Sequence, residues 1–174
     1  GSNWGSFIGI TFNNIKVGLT GFVFGVTGGI GTAYVLLQNG IMLGAFQYFF
    51  AQHGVFWQSV KGIWLHGSME IFAIVIEGAA GLILGASILF PGTRTRLSSF
   101  KQGMRDSLKI VISTFPFTIA AAFIEGYISR YAKEMPHILA VIIILGTLSF
   151  ISFYYLIYPA RVYKKINQII ALEK

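Results

Sequence analysis

Long apolar runs separated by short polar clusters dominate this chain, and their lengths suit membrane crossing. A spanning helix needs about 20 mostly apolar residues. Three runs meet that plainly: His66 to Phe90, Ser107 to Arg130 and His137 to Ala160. A fourth, from about Ile15 to Leu37, is long enough but rich in Gly and Thr. The pattern then loses its regularity. Asn39-Gly40 reads as a turn, Ile41 to Ala51 is apolar but too short to cross, and Gln52-His53-Gly54 ends it. Val55 to Leu65 mixes Val55, Phe56, Trp57, Val60, Ile63 and Trp64 with Gln58, Ser59 and Lys61, as an interfacial helix does. Residues 39–65 are therefore expected to form a half-membrane re-entrant hairpin and then a surface helix, since irregular backbone survives at that depth only under protein or water. If 39–65 crossed instead, the first span would be inverted. Pro91-Gly92 stops the second long helix, and Pro136 stands where a new one can start. The expected fold is all-α: a polytopic transmembrane bundle of about four spanning helices, a re-entrant hairpin and an interfacial helix.

Composition turns this pattern into a class. Charged residues are 11% of the 174, against ~25% in soluble domains. No Asp, Glu, Lys or Arg occurs from Val17 to Val60 or from Met135 to Ala160. A soluble globule, a disordered chain and, with Cys 0, a disulfide scaffold are excluded. The net charge of +7 reports topology rather than nucleic acid, which is not an expected partner. Arg94, Arg96, Lys101, Arg105 and Lys109 follow the second span, and Arg161, Lys164, Lys165 and Lys174 form the tail. The link before the last span has only Arg130 and Lys133, partly offset by Glu134. The 91–106 loop and the C-terminus are thus expected in the cytoplasm. Trp57, Trp64, Tyr127 and Tyr131 then fall at the outer boundary, and Tyr158 and Tyr163 at the inner one. Gly1-Ser2 looks like a vector remnant, and the stretch to Ser6 lacks the basic start and cleavage site of a signal peptide, leaving room for natural sequence upstream. The expected organisation is a lead-in over 1–11, one transmembrane domain over 12–165 and a cytoplasmic tail over 166–174.

In lipid, helices associate by close backbone packing, which needs small residues. Gly18, Gly21, Gly25, Gly28 and Thr32 recur along one face of the first span, and Gly81 and Gly85 form a GxxxG pair in the second. Such seams serve packing within one bundle, a homo-oligomer or a partner's helix. Membrane lipids and other membrane proteins are the expected partners.

Of the six acids, three lie inside predicted spans: Glu70, Glu77 and Glu125. A charge at mid-bilayer costs at least ~2.5–3.5 kcal/mol, so such residues face the protein interior. At about 100° per residue, His66, Glu70 and Glu77 lie within roughly 40° on one helix face, with Ala73 and Gly81. Thr114, Thr118, Ala121, Glu125 and Ser129 make a matching stripe on the next span. Facing stripes bring His66, Glu70 and Glu125 together near the outer surface and leave Glu77 nearer the middle. Three readings stay open: a divalent metal site, zinc or similar, on His66, Glu70 and Glu125; proton or cation handling along the carboxylates; or protonated Glu side chains hydrogen-bonded between helices. His53 and His137 read as interfacial. GxSxG, P-loop and Cys-nucleophile patterns are missing, so no enzyme is expected, a metal-dependent intramembrane enzyme being the lesser alternative.

Phe12-Asn13-Asn14, Asn39-Gly40, Leu43-Gly44, His66-Gly67 with Glu70, Gly78-Ala79-Ala80-Gly81-Leu82, Pro91-Gly92 and Glu125-Gly126 occur in that order. In this the chain resembles the stage II sporulation protein M family of bacterial and archaeal membrane proteins, over about Phe12 to Lys165. It looks closest to the broad branch rather than to the sporulation proteins themselves. The resemblance implies a multi-pass protein of a prokaryotic plasma membrane. It also implies a scaffold for partner proteins, peptidoglycan hydrolases in the namesake's case. Relatives more often carry a small residue at Glu77, which leaves His66, Glu70 and Glu125 as the shared set. A membrane scaffold is the leading expectation, and a transporter or channel component using the His/Glu site is the alternative.

Overall fold

The computed structural model describes residues 3–128, 131 and 134–172; Gly1, Ser2, Ser129, Arg130, Lys133 and Lys174, invoked above, lie outside them. Helix α1 (Asn3–Val23) runs into a 3₁₀ turn (Phe24–Thr27), followed by α2 (Ile30–Gln52), α3 (Phe56–Leu89) and α4 (Arg96–Phe123). A π-helical turn (Ile124–Ile128) ends α4. Then α5 (His137–Ser152), a second π turn (Phe153–Ile157) and α6 (Tyr158–Leu172) follow on without a break. No strand occurs among the described residues. Four stretches there are long and apolar enough to cross a membrane: Phe7–Thr27, Phe56–Leu89, Arg96–Tyr127 and His137–Ala171. The all-α bundle with four spanning-length helices is as the pattern predicts.

Two details differ. The chain does not turn at Asn39-Gly40. It turns at Gly28 and Gly29, whose φ angles of 72° and 88° favour residues without a Cβ. The first span-length helix therefore ends at Thr27, and α2 continues through Asn39 and Gly40 with no re-entrant hairpin. Inside α2, Asn39 Nδ2 donates to Val35 O at 2.8 Å, so the side chain is satisfied without a turn. A glycine in a helix costs ~1 kcal/mol relative to Ala. Breaking the helix in lipid would expose backbone groups at several kcal/mol each. The 23 residues of α2 reach about 34 Å at ~1.5 Å per residue.

The interfacial helix is likewise absent, because its residues from Phe56 onward are the opening turns of the 34-residue α3. Ser59, Lys61 and Leu65 are buried. Lys61 Nζ donates to Met135 O at 3.1 Å, and Leu65 packs on Ala140 of α5. A polar pattern that looks suited to a surface is matched instead by a partner far along the chain.

Helix α3 is the axis of the bundle, packing against α1, α2, α4 and α5. Its stripe faces that of α4, burying Ala73, Glu77, Gly81, Thr114, Thr118 and Ala121. At one end Ser99 Oγ donates to Ser87 O at 2.7 Å, and at the other Glu125 meets His66. Phe22, Ala80, Leu84 and Val111 fill the interior towards the arginine-bearing end; Met69, Phe117, Ala121 and Ile151 fill it towards the other. The glycine seams are used within the chain. A Cβ on Gly25 would overlap Gly81 O, one on Gly85 would overlap the Gly28-Gly29 turn, and one on Gly18 would overlap the Glu77 carboxyl. Thr32 Oγ1 closes the seam on Gly21 O at 2.7 Å.

Substitutions at two glycines separate these features. Gly25→Val should lower stability in detergent by ~1–3 kcal/mol through overpacking. Gly40→Ala, where a Cβ meets nothing within 4 Å of it, should be neutral or stabilising by ~0.5–1 kcal/mol. Thermal unfolding reads both; a destabilised Gly40→Ala would restore the turn at Asn39-Gly40.

Candidate functional site

His66 and Glu70 stand one turn apart on α3, and the end of α4 brings Glu125 to them. His66 Nε2 lies 3.7 Å from Glu125 Oε2. One ligand atom from each of His66, Glu70 and Glu125 lies within 4.8 Å of the other two. The juncture depends on local backbone: Pro116 lies inside α4, and Glu125 sits in the wider π turn over Ile124–Ile128. Single π turns recur at functional sites because they re-aim one residue within a continuing helix.

A fourth side chain arrives from α1. Asn14 is 5% exposed, and its Nδ2 has no hydrogen-bond partner among the described residues. Its amide faces Glu70 without closing a hydrogen bond of good geometry. With Asn13, His66, Glu70 and Glu125 it lines a polar cavity of about 380 Å³. In the sequence Asn14 is prominent only as part of Phe12-Asn13-Asn14. An amide in the middle of an apolar helix is the signal that could have singled it out.

Beyond His66 and Glu70, away from α1, lies a second cavity. This is an apolar groove of about 520 Å³ between α2 and α3, lined by Leu36, Met42, Leu43, Phe46, Phe50, Ile71, Ile74 and Val75 among others. His66 and Glu70 line both spaces.

Imidazole nitrogen and carboxylate oxygen are the usual donors for zinc and similar divalent ions. The amide oxygen of Asn14, interchangeable with its nitrogen by a flip, could be a fourth. A tetrahedral ion with bonds of about 2.1 Å has donor–donor edges near ~3.4 Å. The 3.7 Å His66–Glu125 edge is close to this. A spread of 4.8 Å also admits a larger ion at ~2.3–2.6 Å from each oxygen. The donor set fits a divalent cation with room for a further ligand.

Glu77 is not part of this group. It is 1% exposed, accepts from Thr114 Oγ1 at 2.5 Å and packs under the Gly18 backbone. It joins α1, α3 and α4 as a strut. His53 and His137 also lie apart. His53 Nδ1 is 2.8 Å from Phe49 O at the end of α2, and the His137 ring stands edge-on to Trp57 with centroids 6.1 Å apart.

Four span-length apolar helices packed around a half-buried polar cluster define a polytopic α-helical integral membrane protein. Residues 1–130 match the family described as stage II sporulation protein M, and the chain belongs to that family. The match takes in α1 to α4 with Asn14, His66, Glu70 and Glu125, and stops before α5, short of the likeness drawn above as far as Lys165. No curated protein and no solved structure matches.

The two kinds of glutamate should respond differently. Glu77→Ala should lower the unfolding temperature, by an equivalent of ~1–3 kcal/mol for the unsatisfied contact, without affecting zinc binding. Glu70→Ala should abolish zinc binding and leave the metal-free unfolding temperature nearly unchanged. Equal effects of both variants on zinc affinity would merge Glu77 with the site.

Proposed function

We propose that this chain is a membrane scaffold of the prokaryotic cell envelope that binds partner membrane proteins. In this reading a divalent cation on His66, Glu70 and Glu125 holds its bundle in one shape. The observation that carries the proposal is where the three donors come from. They tie α3 to the far end of α4, beside α1, within the stretch that belongs to the family. An ion that binds only the assembled site stabilises it by mass action, about 2.7 kcal/mol at a hundred times its Kd. It would also offset the cost of two neighbouring carboxylates in an apolar setting.

The glycine seams are occupied within the chain, so a partner must dock elsewhere. Both α2 and the last helix are open on most of their surface, and the last helix is taken as the docking face. Only 11% of its most apolar window is buried, against 39% for α3 and α4, and Ile138, Ile142, Leu145 and Phe150 are turned outward. The family resemblance makes peptidoglycan-remodelling proteins a natural class of partner. The arginine-bearing loop and the C-terminus would face the cytoplasm by the positive-inside bias, which puts the cluster towards the outer face, where such enzymes work.

A photo-crosslinker at Ile142 or Leu145 in native membranes should capture a defined envelope protein. Capture of lipid alone would overturn the scaffold reading. The absence of native Cys makes the orientation equally direct to test. An impermeant maleimide should label Glu134→Cys on intact cells, and Arg96→Cys only after permeabilisation; the reverse pattern inverts the topology.

A further inference from the structure

Helices α2 and α3 are pinned together at two places and part between them. Towards the arginine-bearing end, Thr32 and Leu36 pack on Gly81 and Gly78. Towards the other, Ser59 Oγ lies 3.3 Å from the side-chain amide of Gln47. The apolar groove opens between these ties, and its 520 Å³ falls within the ~300–1,000 Å³ of small-molecule sites. Gly40 is part of its lining, and a Cβ there meets nothing within 4 Å among the described residues.

What would fill such a groove follows from its setting. One wall is α3, a span-length apolar helix, and the other is α2, whose 23 residues are long enough to lie beside it, so the medium around the groove is taken as hydrocarbon. Along α3 its lining runs from Ile63 through His66 and Glu70 to Ile71, Ile74 and Val75, so the polar pair stands in the half nearer the start of α3 and an apolar wall leads from it towards the middle. A lipid in the leaflet at that end has the same gradient, with its head at the boundary and its chain towards the midplane.

The head group is indicated by a separate observation. The Asn14 side chain is more than nine-tenths buried, lines the polar cavity shared by His66 and Glu70, and carries an Nδ2 that turns towards Glu70 but closes no hydrogen bond of good geometry among the described residues. An open donor beside a bound cation suits an anionic oxygen. We infer that the groove binds a phosphate-bearing membrane amphiphile. Its hydrocarbon chain lies between α2 and α3, and its phosphate sits beside His66 and Glu70, held by the cation and the Asn14 amide. This rests on the cation reading of the cluster.

The test uses the full chain, delipidated in detergent and loaded with zinc, with bound phosphatidylglycerol counted by native mass spectrometry. One phosphatidylglycerol per chain should be retained. Diacylglycerol, which lacks the phosphate, should bind at least tenfold more weakly, and free glycerol phosphate should not be retained. Gly40→Phe should abolish lipid retention with zinc still bound. Gly44→Phe, also in open space but not lining the groove, should behave as wild type. Asn14→Ala should weaken phosphatidylglycerol by roughly tenfold and leave diacylglycerol unchanged. Retention unaffected by Gly40→Phe, or equal binding of diacylglycerol, would overturn the inference. One zinc per chain without groove-dependent lipid overturns this inference alone. Groove-dependent lipid that ignores zinc removal, in a protein that binds no zinc, overturns both the cation-held head and the cation reading.

Discussion

Placing Glu70, Glu77 and Glu125 within apolar helices costs at least ~2.5–3.5 kcal/mol for each charge on the insertion scale, and much of the packing around α3 provides for them. Glu77 is given a hydroxyl from Thr114 and covered by the backbone of α1 at Gly18. That cover requires α1 to approach with no side chain between, and the close contacts at Gly25, Gly81 and Gly85 continue the same approach down the helix. Glu70 and Glu125 are treated differently. They share a polar cavity with His66 and Asn14 in which one amide donor has no partner. One carboxylate is built into the seam, and two stand beside a space that a ligand can enter.

Much of this was legible because helical spacing is periodic and depth can be counted. His66 and Glu70 share a face by their one-turn separation, and Glu125 reaches their level because α4 runs antiparallel to α3. The parts that were misread depend on partners distant in sequence. Asn39-Gly40 carries the local signature of a turn, yet its side chain is satisfied within α2. The actual turn, at Gly28-Gly29, is concealed in a sequence that also reads as a packing stripe. Lys61 looks suited to a membrane surface until its acceptor, Met135 O, is known. The α2–α3 groove left no trace in the sequence, because it arises where two helices part rather than from any motif.

The family match stops before the last helix, although the packing does not: Ser68 and Ser113 hydrogen-bond to Thr147 and Tyr155 across that boundary. Residues 1–130 contain the seam, the cluster and both cavities. The last helix, outside the match, attaches along α3 and leaves most of its surface open. Helix α2, inside the match, is just as open, with Thr32 its only buried residue. Between α5 and the rest of the bundle lies a packed core of Met69, Phe117, Ala121 and Ile151.

The claim on which most depends is that His66, Glu70 and Glu125 act together as one cation site. Equilibrium dialysis of the purified chain against zinc, with calcium and manganese in parallel, measures it directly. One ion should be bound per chain in the wild type, and none in Glu70→Ala or Glu125→Ala variants that keep the wild-type helical content. A folded wild type that binds no divalent ion, or variants that bind as well as wild type, would contradict it.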